Sequence, residues 1–214
     1  MQIECRQKQR WPEGVMEVQR IFDPGCMPPK YQEQGKKHSF PDLTGELCPQ
    51  CQAGLLKRHG FYARWLCVPG FEGQILVRRF LCRHCGRTLS LLPSFAHPRR
   101  GCGIRYIIGI LTMFYLKGMS ASGAAAEFQK TAGLACSRQL LLQFRKRFEN
   151  NLNRLIMETV SLLNLQSPPV TAPGHEKRQR AREFLESIQS LNSEDVSLKL
   201  FERSGTAFLS SRAS

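Results

Sequence analysis

The sequence predicts an α+β chain in which a small three-stranded sheet precedes a helical module. Three observations predict it. Residues 45–96 are rich in aromatic and apolar side chains, broken at Pro69-Gly70 and Glu72-Gly73. The same stretch carries two Cys-x2-Cys pairs, "CPQC" and "CRHC", with 30 residues between them. From Gly103 onward the apolar spacing turns helical.

The elements follow in chain order. Residues 1–44 read as an N-terminal arm, extended or partly ordered, because Pro12, Pro24, Pro28, Pro29 and Pro41 interrupt any period. "VMEVQRIF" (15–22) within it suits either a short strand or a helical turn. Residues 45–99 supply the three strands, from "KRHGFYARWLCV" (57–68), "GQILVRRFLC" (73–82) and "RTLSLLPSF" (87–95). Residues 100–165 supply three helices. The first has Ile104, Ile107, Ile108, Leu111 and Phe114 at helical spacing. The second is the alanine-rich stretch 120–130, capped by Ser120 or Ser122, and the third is a long helix over 137–165 with Ser137 or Cys136 near its cap. Residues 166–175 are a linker, with four Pro or Gly among ten. Residues 176–214 read as a charged amphipathic helix and a frayed, serine-rich polar tail.

The cysteine pairs carry the most specific chemistry. Two thiolates at this spacing face one metal ion when the backbone turns tightly between them, and a second pair completes a tetrahedron. Cys48, Cys51, Cys82 and Cys85 meet that requirement, with Gly54 and Gly86 placed to ease the turns and let amides approach sulfur. A redox dithiol would sit near a βαβ pattern, which is absent. Zn2+ is the expected ion, although the same four sulfurs also accept iron. Four thiolates close the coordination shell, so the expected site is structural and performs no catalysis. The remaining cysteines lack matched spacing, and Cys67 and Cys136 read as buried thiols. His84, inside the second pair, reads as solvent-facing or phosphate-contacting rather than as a ligand.

Charge points to the partner. The chain has 214 residues, with 31 Lys and Arg against 17 Asp and Glu, a formal +14. Such an excess favours polyanions, chiefly nucleic acid, through counterion release. The stretch from Tyr106 to Leu116 is too short to span a bilayer, and no secretory signal follows Met1. The expected compartment is reducing and cytoplasmic, with association with the nucleoid. In the third helix Leu140, Leu141, Phe144, Phe148 and Leu152 form an apolar stripe, while Arg138, Gln139, Gln143, Arg145, Lys146 and Arg147 lie away from it or flank it. Gln suits adenine edges, and Arg or Lys suits guanine or phosphate. A small-residue helix packed under a basic one has the character of a helix-turn-helix, although "KTAGLACS" is longer than the usual turn. A solvated helix in an all-α packing module is the competing reading.

The order "CPQC", "HGFYARW", "VRRFLCRHCGRTLSLLPSFAHPRR", "YLKGMSASGAAAEF" and "SRQLLLQFRKRF" resembles the zinc-ribbon plus helix-turn-helix head of bacterial transposase-related proteins over about residues 46–150. The resemblance implies DNA binding, with zinc on Cys48, Cys51, Cys82 and Cys85. Insertion-sequence transposases follow such a head with a domain whose spaced carboxylates hold two metal ions. Only 64 residues follow Asn150, and the chain has three aspartates, Asp23, Asp42 and Asp195. The expectation is therefore a non-enzymatic DNA-binding protein with no small-molecule substrate. Arg78, Arg79, Arg83 and Arg87 would grip phosphate, and the third helix would read bases. The alternative is an adaptor for a transposase or recombinase, docking through Phe184, Leu185, Ile188 and Leu191 of the C-terminal helix. Equally, that stripe would pack on its own domain.

Overall fold

The computed structural model of the chain describes residues 18–98, 101–163, 176–189, 191–204 and 208–209. The fold is α+β, with six helices and one four-stranded mixed sheet among the described residues. The strands are β1 (Val18–Phe22), β2 (Leu56–Val68), β3 (Phe71–Cys82) and β4 (Thr88–Pro93), in sheet order β1-β4-β3-β2. The helices are α1 (Pro28–Gln34), α2 (Ile104–Tyr115), α3 (Ala121–Ala132), α4 (Arg138–Leu163), α5 (Glu176–Gln189) and α6 (Ser193–Ser204). No helix among the described residues is long and apolar enough to cross a membrane.

The sheet has four strands rather than the three expected. β1 comes from the arm and pairs parallel with β4, Val18 opposite Leu89 through Phe22 opposite Pro93. The reason lies in β4, where Leu91 and Leu92, on opposite faces, are both fully buried. A strand buried on both faces belongs inside a sheet, between two neighbours. The arm therefore folds onto the sheet from Val18 onward, and residues 1–17 lie outside the described residues. Pro28 and Pro29 do not break it: proline at the first helical positions begins α1. β4 pairs only with Arg78–Leu81, so the earlier part of β3 lacks a strand partner on that side. α1 covers this edge. The Tyr31 hydroxyl donates to the Leu76 carbonyl (2.8 Å), and the Gln32 amide donates to that of Gln74 (2.9 Å).

The helical half follows the expected pattern more closely. Ser120 rather than Ser122 caps α3, its hydroxyl accepting from the Gly123 amide (3.1 Å). Ser137 caps α4, accepting from the Leu140 amide (3.1 Å). The expected linker at 166–175 lies outside the described residues. The tail does not read as the sequence suggested. Residues 193–204 form α6, whose first turn carries Glu194 and Asp195, as a helix start favours. Val196 and Leu200, one turn apart, bury its apolar face. Beyond it, Phe208 is fully buried and lies parallel to Phe148, with ring centroids 5.8 Å apart.

Two apolar clusters result. One joins the sheet to the arm around Tyr31, Phe80, Leu91 and Phe95, and the other joins α2 to α6 around Tyr106, Phe144, Phe148 and Phe184. Cys67 sits where they meet. Its amide donates to the Gly101 carbonyl (2.7 Å), and its carbonyl accepts from the Gly103 amide (3.0 Å). Cys67 is buried, as its sequence suggested, and Cys136 is half-buried.

Candidate metal centre and basic surfaces

The 30 residues between the cysteine pairs are mostly the β2–β3 hairpin. Its antiparallel register sets Leu56, just after the first pair, opposite Cys82 of the second. Chain reversal thus brings both pairs to one end of the sheet. Each pair then closes the same way. The Gln52 amide donates to the Cys48 carbonyl (2.8 Å), and the Gly86 amide donates to the Cys82 carbonyl (2.9 Å). The closing residue is left-handed in both turns, at φ 52° for Gln52 and 69° for Gly86. Glycine adopts that conformation without strain, whereas Gln52 holds it at a steric cost.

The four sulfurs of Cys48, Cys51, Cys82 and Cys85 all lie within 4.8 Å of one another and could hold a metal ion. The Cys48 and Cys85 sulfurs are 3.8 Å apart, and those of Cys51 and Cys82 are 3.7 Å apart. A regular tetrahedron with metal–sulfur bonds of about 2.3 Å has sulfur–sulfur edges of about 3.8 Å. Two edges match that figure, so the donor set fits a tetrahedral thiophilic ion.

The surroundings favour thiolate unevenly. The amides of Ala53 and Gly54 point at the Cys51 sulfur, and with the His84 side chain and the Cys82 thiol they hold the Cys51 thiol down to about 5. At Cys85 the Arg87 amide acts in the same sense. Burial and the sulfurs of Cys82, Cys51 and Cys48 outweigh it and push that thiol up to about 11. Crowded thiols resist joint ionisation until a cation sits among them, so metal binding releases protons and weakens as pH falls. His84 is exposed, as expected, and its side chain is among the groups that favour the Cys51 thiolate.

Gly54 is the residue that lets the turns approach. A Cβ there would stand 2.6 Å from the Cys82 sulfur and would run into the Cβ of His84. Gly54→Ala is expected to weaken metal affinity at least about tenfold, the upper range of effects seen when atoms behind metal ligands are disturbed being about 100-fold. Chelator competition checks this, and unchanged affinity would show that the turns tolerate separation.

The basic residues of interest fall into two groups. On the sheet, Arg78 lies over the rings of Phe61 (4.8 Å) and Phe80 (5.6 Å), and Arg79 lies over Tyr62 (5.5 Å). As strand neighbours they point to opposite faces of the sheet. Arg83 is exposed beside the second turn, and Arg87 is half-buried. On α4, Arg138, Gln139, Gln143 and Lys146 are all exposed. Arg145 differs: its guanidinium pairs with Glu149 (2.8 Å) and lies over Phe114 (5.2 Å), while Glu149 also accepts from the Tyr115 hydroxyl (2.7 Å). Arg145 therefore ties α4 to α2. Its partner at i+4 was visible in the sequence, whereas its aromatic neighbour on α2 was not.

Lys177 and Arg180, absent from the sequence-based set, line a hollow with α4 residues. Only their place in the basic run "EKRQRAR" hinted at them. Compared with family models, curated proteins and solved structures, the chain matches none.

Proposed function

We propose that the chain is a zinc-stabilised DNA-binding protein whose metal centre is structural and whose α4 faces the duplex. One observation carries this reading. From Arg138 to Phe148 the helix contains no acidic residue. Leu141, Phe144 and Phe148 bury one side completely, while Arg138, Gln139, Gln143, Lys146 and Arg147 stand exposed on the other. A rigid helix with amides and cations outward suits base edges and phosphates. α3 and α4 joined through residues 133–137 support a helix-turn-helix-like use of this face, and the two cysteine turns on a hairpin support a ribbon-like use of the sheet. Zinc is favoured because four thiolates in a closed tetrahedron suit an ion without redox demands. The resemblance to transposase-related heads agrees with duplex DNA as the partner.

The adaptor reading has weaker support. Phe184, Leu185 and Ile188 are all buried in the helical core, and Leu191 is packed against it. The stripe offered for docking is thus already covered by its own chain.

The test is binding of metal-loaded protein to random-sequence duplex across a salt series. Affinity is expected to fall steeply, with a log–log slope of about −0.9 per phosphate neutralised. The Arg138→Ala, Lys146→Ala double variant is expected to flatten that slope by about 2. Negligible binding at low salt would contradict the proposal.

A further inference from the structure

Between α4 and α5 lies a polar hollow of about 320 Å³, walled by Glu149, Asn150, Leu152 and Asn153 on one side and Lys177 and Arg180 on the other. Its one carboxylate is ion-paired with Arg145, and Glu149 Oε1 accepts from both the Arg145 guanidinium and the Tyr115 hydroxyl. The two cations face no such partner: neither Lys177 nor Arg180 belongs to an ion pair among the described residues, whereas Arg182 on the same helix pairs with Glu186. Two uncompensated cations and two side-chain amides in one recess suit an oxyanion with several acceptor oxygens.

The recess is also continuous with the outward face of α4. Asn150 lies one turn beyond Lys146, and Asn153 one turn beyond Asn150, so Gln139, Gln143, Lys146, Asn150 and Asn153 run along one side of the helix. α5 is fixed where it supplies its cations. Ala181, Phe184, Leu185 and Ile188 bury its apolar side, and the Arg178 guanidinium lies over the Phe114 ring (5.4 Å) that also holds Arg145. Lys177 and Arg180 therefore stand on a packed helix, and ordering them costs less than ordering a loose basic tail.

We propose that the α4–α5 hollow grips the sugar–phosphate backbone next to the bases that α4 faces, with Lys177 and Arg180 as the phosphate contacts and Asn150 and Asn153 as hydrogen-bond donors. The inference rests on the DNA-binding reading above. It adds a second helix to the interface and fixes the direction in which the backbone leaves α4.

The experiment uses the full metal-loaded chain and random-sequence duplex, comparing wild type with Lys177→Gln, Arg180→Gln and with the charge-matched control Arg182→Gln, Lys199→Gln. Thermal midpoints are measured alongside to establish that every variant folds. The hollow variant is expected to bind more weakly on every sequence, with a salt slope shallower by about 2. The control is expected to keep the wild-type slope within about 0.5, because Arg182 is engaged with Glu186 and Lys199 lies on α6. Wild-type binding with an unchanged slope in the hollow variant would overturn this inference and leave the α4 reading standing. An equal loss in the control would also overturn it, as a general charge effect. Absence of wild-type binding would overturn both. Inorganic phosphate at matched ionic strength is the second arm: if it raises the thermal midpoint of wild type but not of the hollow variant, and the duplex slopes agree, the hollow is a free-anion site instead.

Discussion

Cys82→Ser, or removal of the metal by a chelator, is expected to unfold the sheet half of the protein while the helices from α2 onward persist. Cys82 is fully buried at the end of β3, and its sulfur is 3.7 Å from that of Cys51. Four crowded sulfurs without a cation lose the interaction that holds the two turns together. Structural zinc in small modules contributes on the order of 10 kcal/mol or more at neutral pH. The far-ultraviolet spectrum should keep its helical minima, and the β2 and β3 amides should lose their protection against hydrogen exchange as those strands open. The loss should be reversed by zinc in wild type and not in Cys82→Ser. If chelation leaves the thermal midpoint unchanged, the sheet is held by its apolar core alone.

Phe208→Ala is the second large effect. Phe208 is fully buried, with its ring centroid 5.8 Å from Phe148 and 6.3 Å from Phe184. Its carbonyl also accepts from the Arg154 guanidinium (3.3 Å), and the neighbouring Leu209 amide donates to His97 Nε2 (3.3 Å). The end of the described chain thus plugs the helical core and reaches the connection that leads from β4 to α2. Removing a buried phenyl ring costs about 3–5 kcal/mol. Denaturant unfolding followed by circular dichroism reads this directly. A change below about 1 kcal/mol would be ordinary for a surface site and would mean that Phe208 is not seated in the core in solution.

What the sequence disclosed was what local spacing can encode. The cysteine quartet was legible because each Cys-x2-Cys turn is built from adjacent residues, and only the hairpin between them had to form. α2, α3 and α4 were legible because Ile104, Ile107 and Leu111, the Ser120 and Ser137 caps and the Leu141–Phe144–Phe148 stripe repeat at helical intervals. The pairing of β1 with β4 was not, since it joins Val18 to Leu89 in parallel, with α1, β2 and β3 between them and no tight turn to signal it. α6 was hidden by its serines, which suggested a solvated tail, although Val196 and Leu200 already lay one turn apart. Phe208 was hidden differently: one aromatic in a polar stretch has no periodicity, and only the receiving rings of Phe148 and Phe184 give it a role. Arg145 shows the limit at the basic surface. Outward charge and a cation engaged by Glu149 and Phe114 look alike on a helical wheel, and only packing separates them.

The metal centre is tested most directly by X-ray absorption at the metal edge on the purified full chain, with metal-to-protein stoichiometry from the same sample. The expected result is one zinc per chain and a first shell of four sulfurs at about 2.3 Å, without nitrogen or oxygen ligands. A shell containing fewer than four sulfurs, or a chain that retains no metal in its folded state, would contradict it.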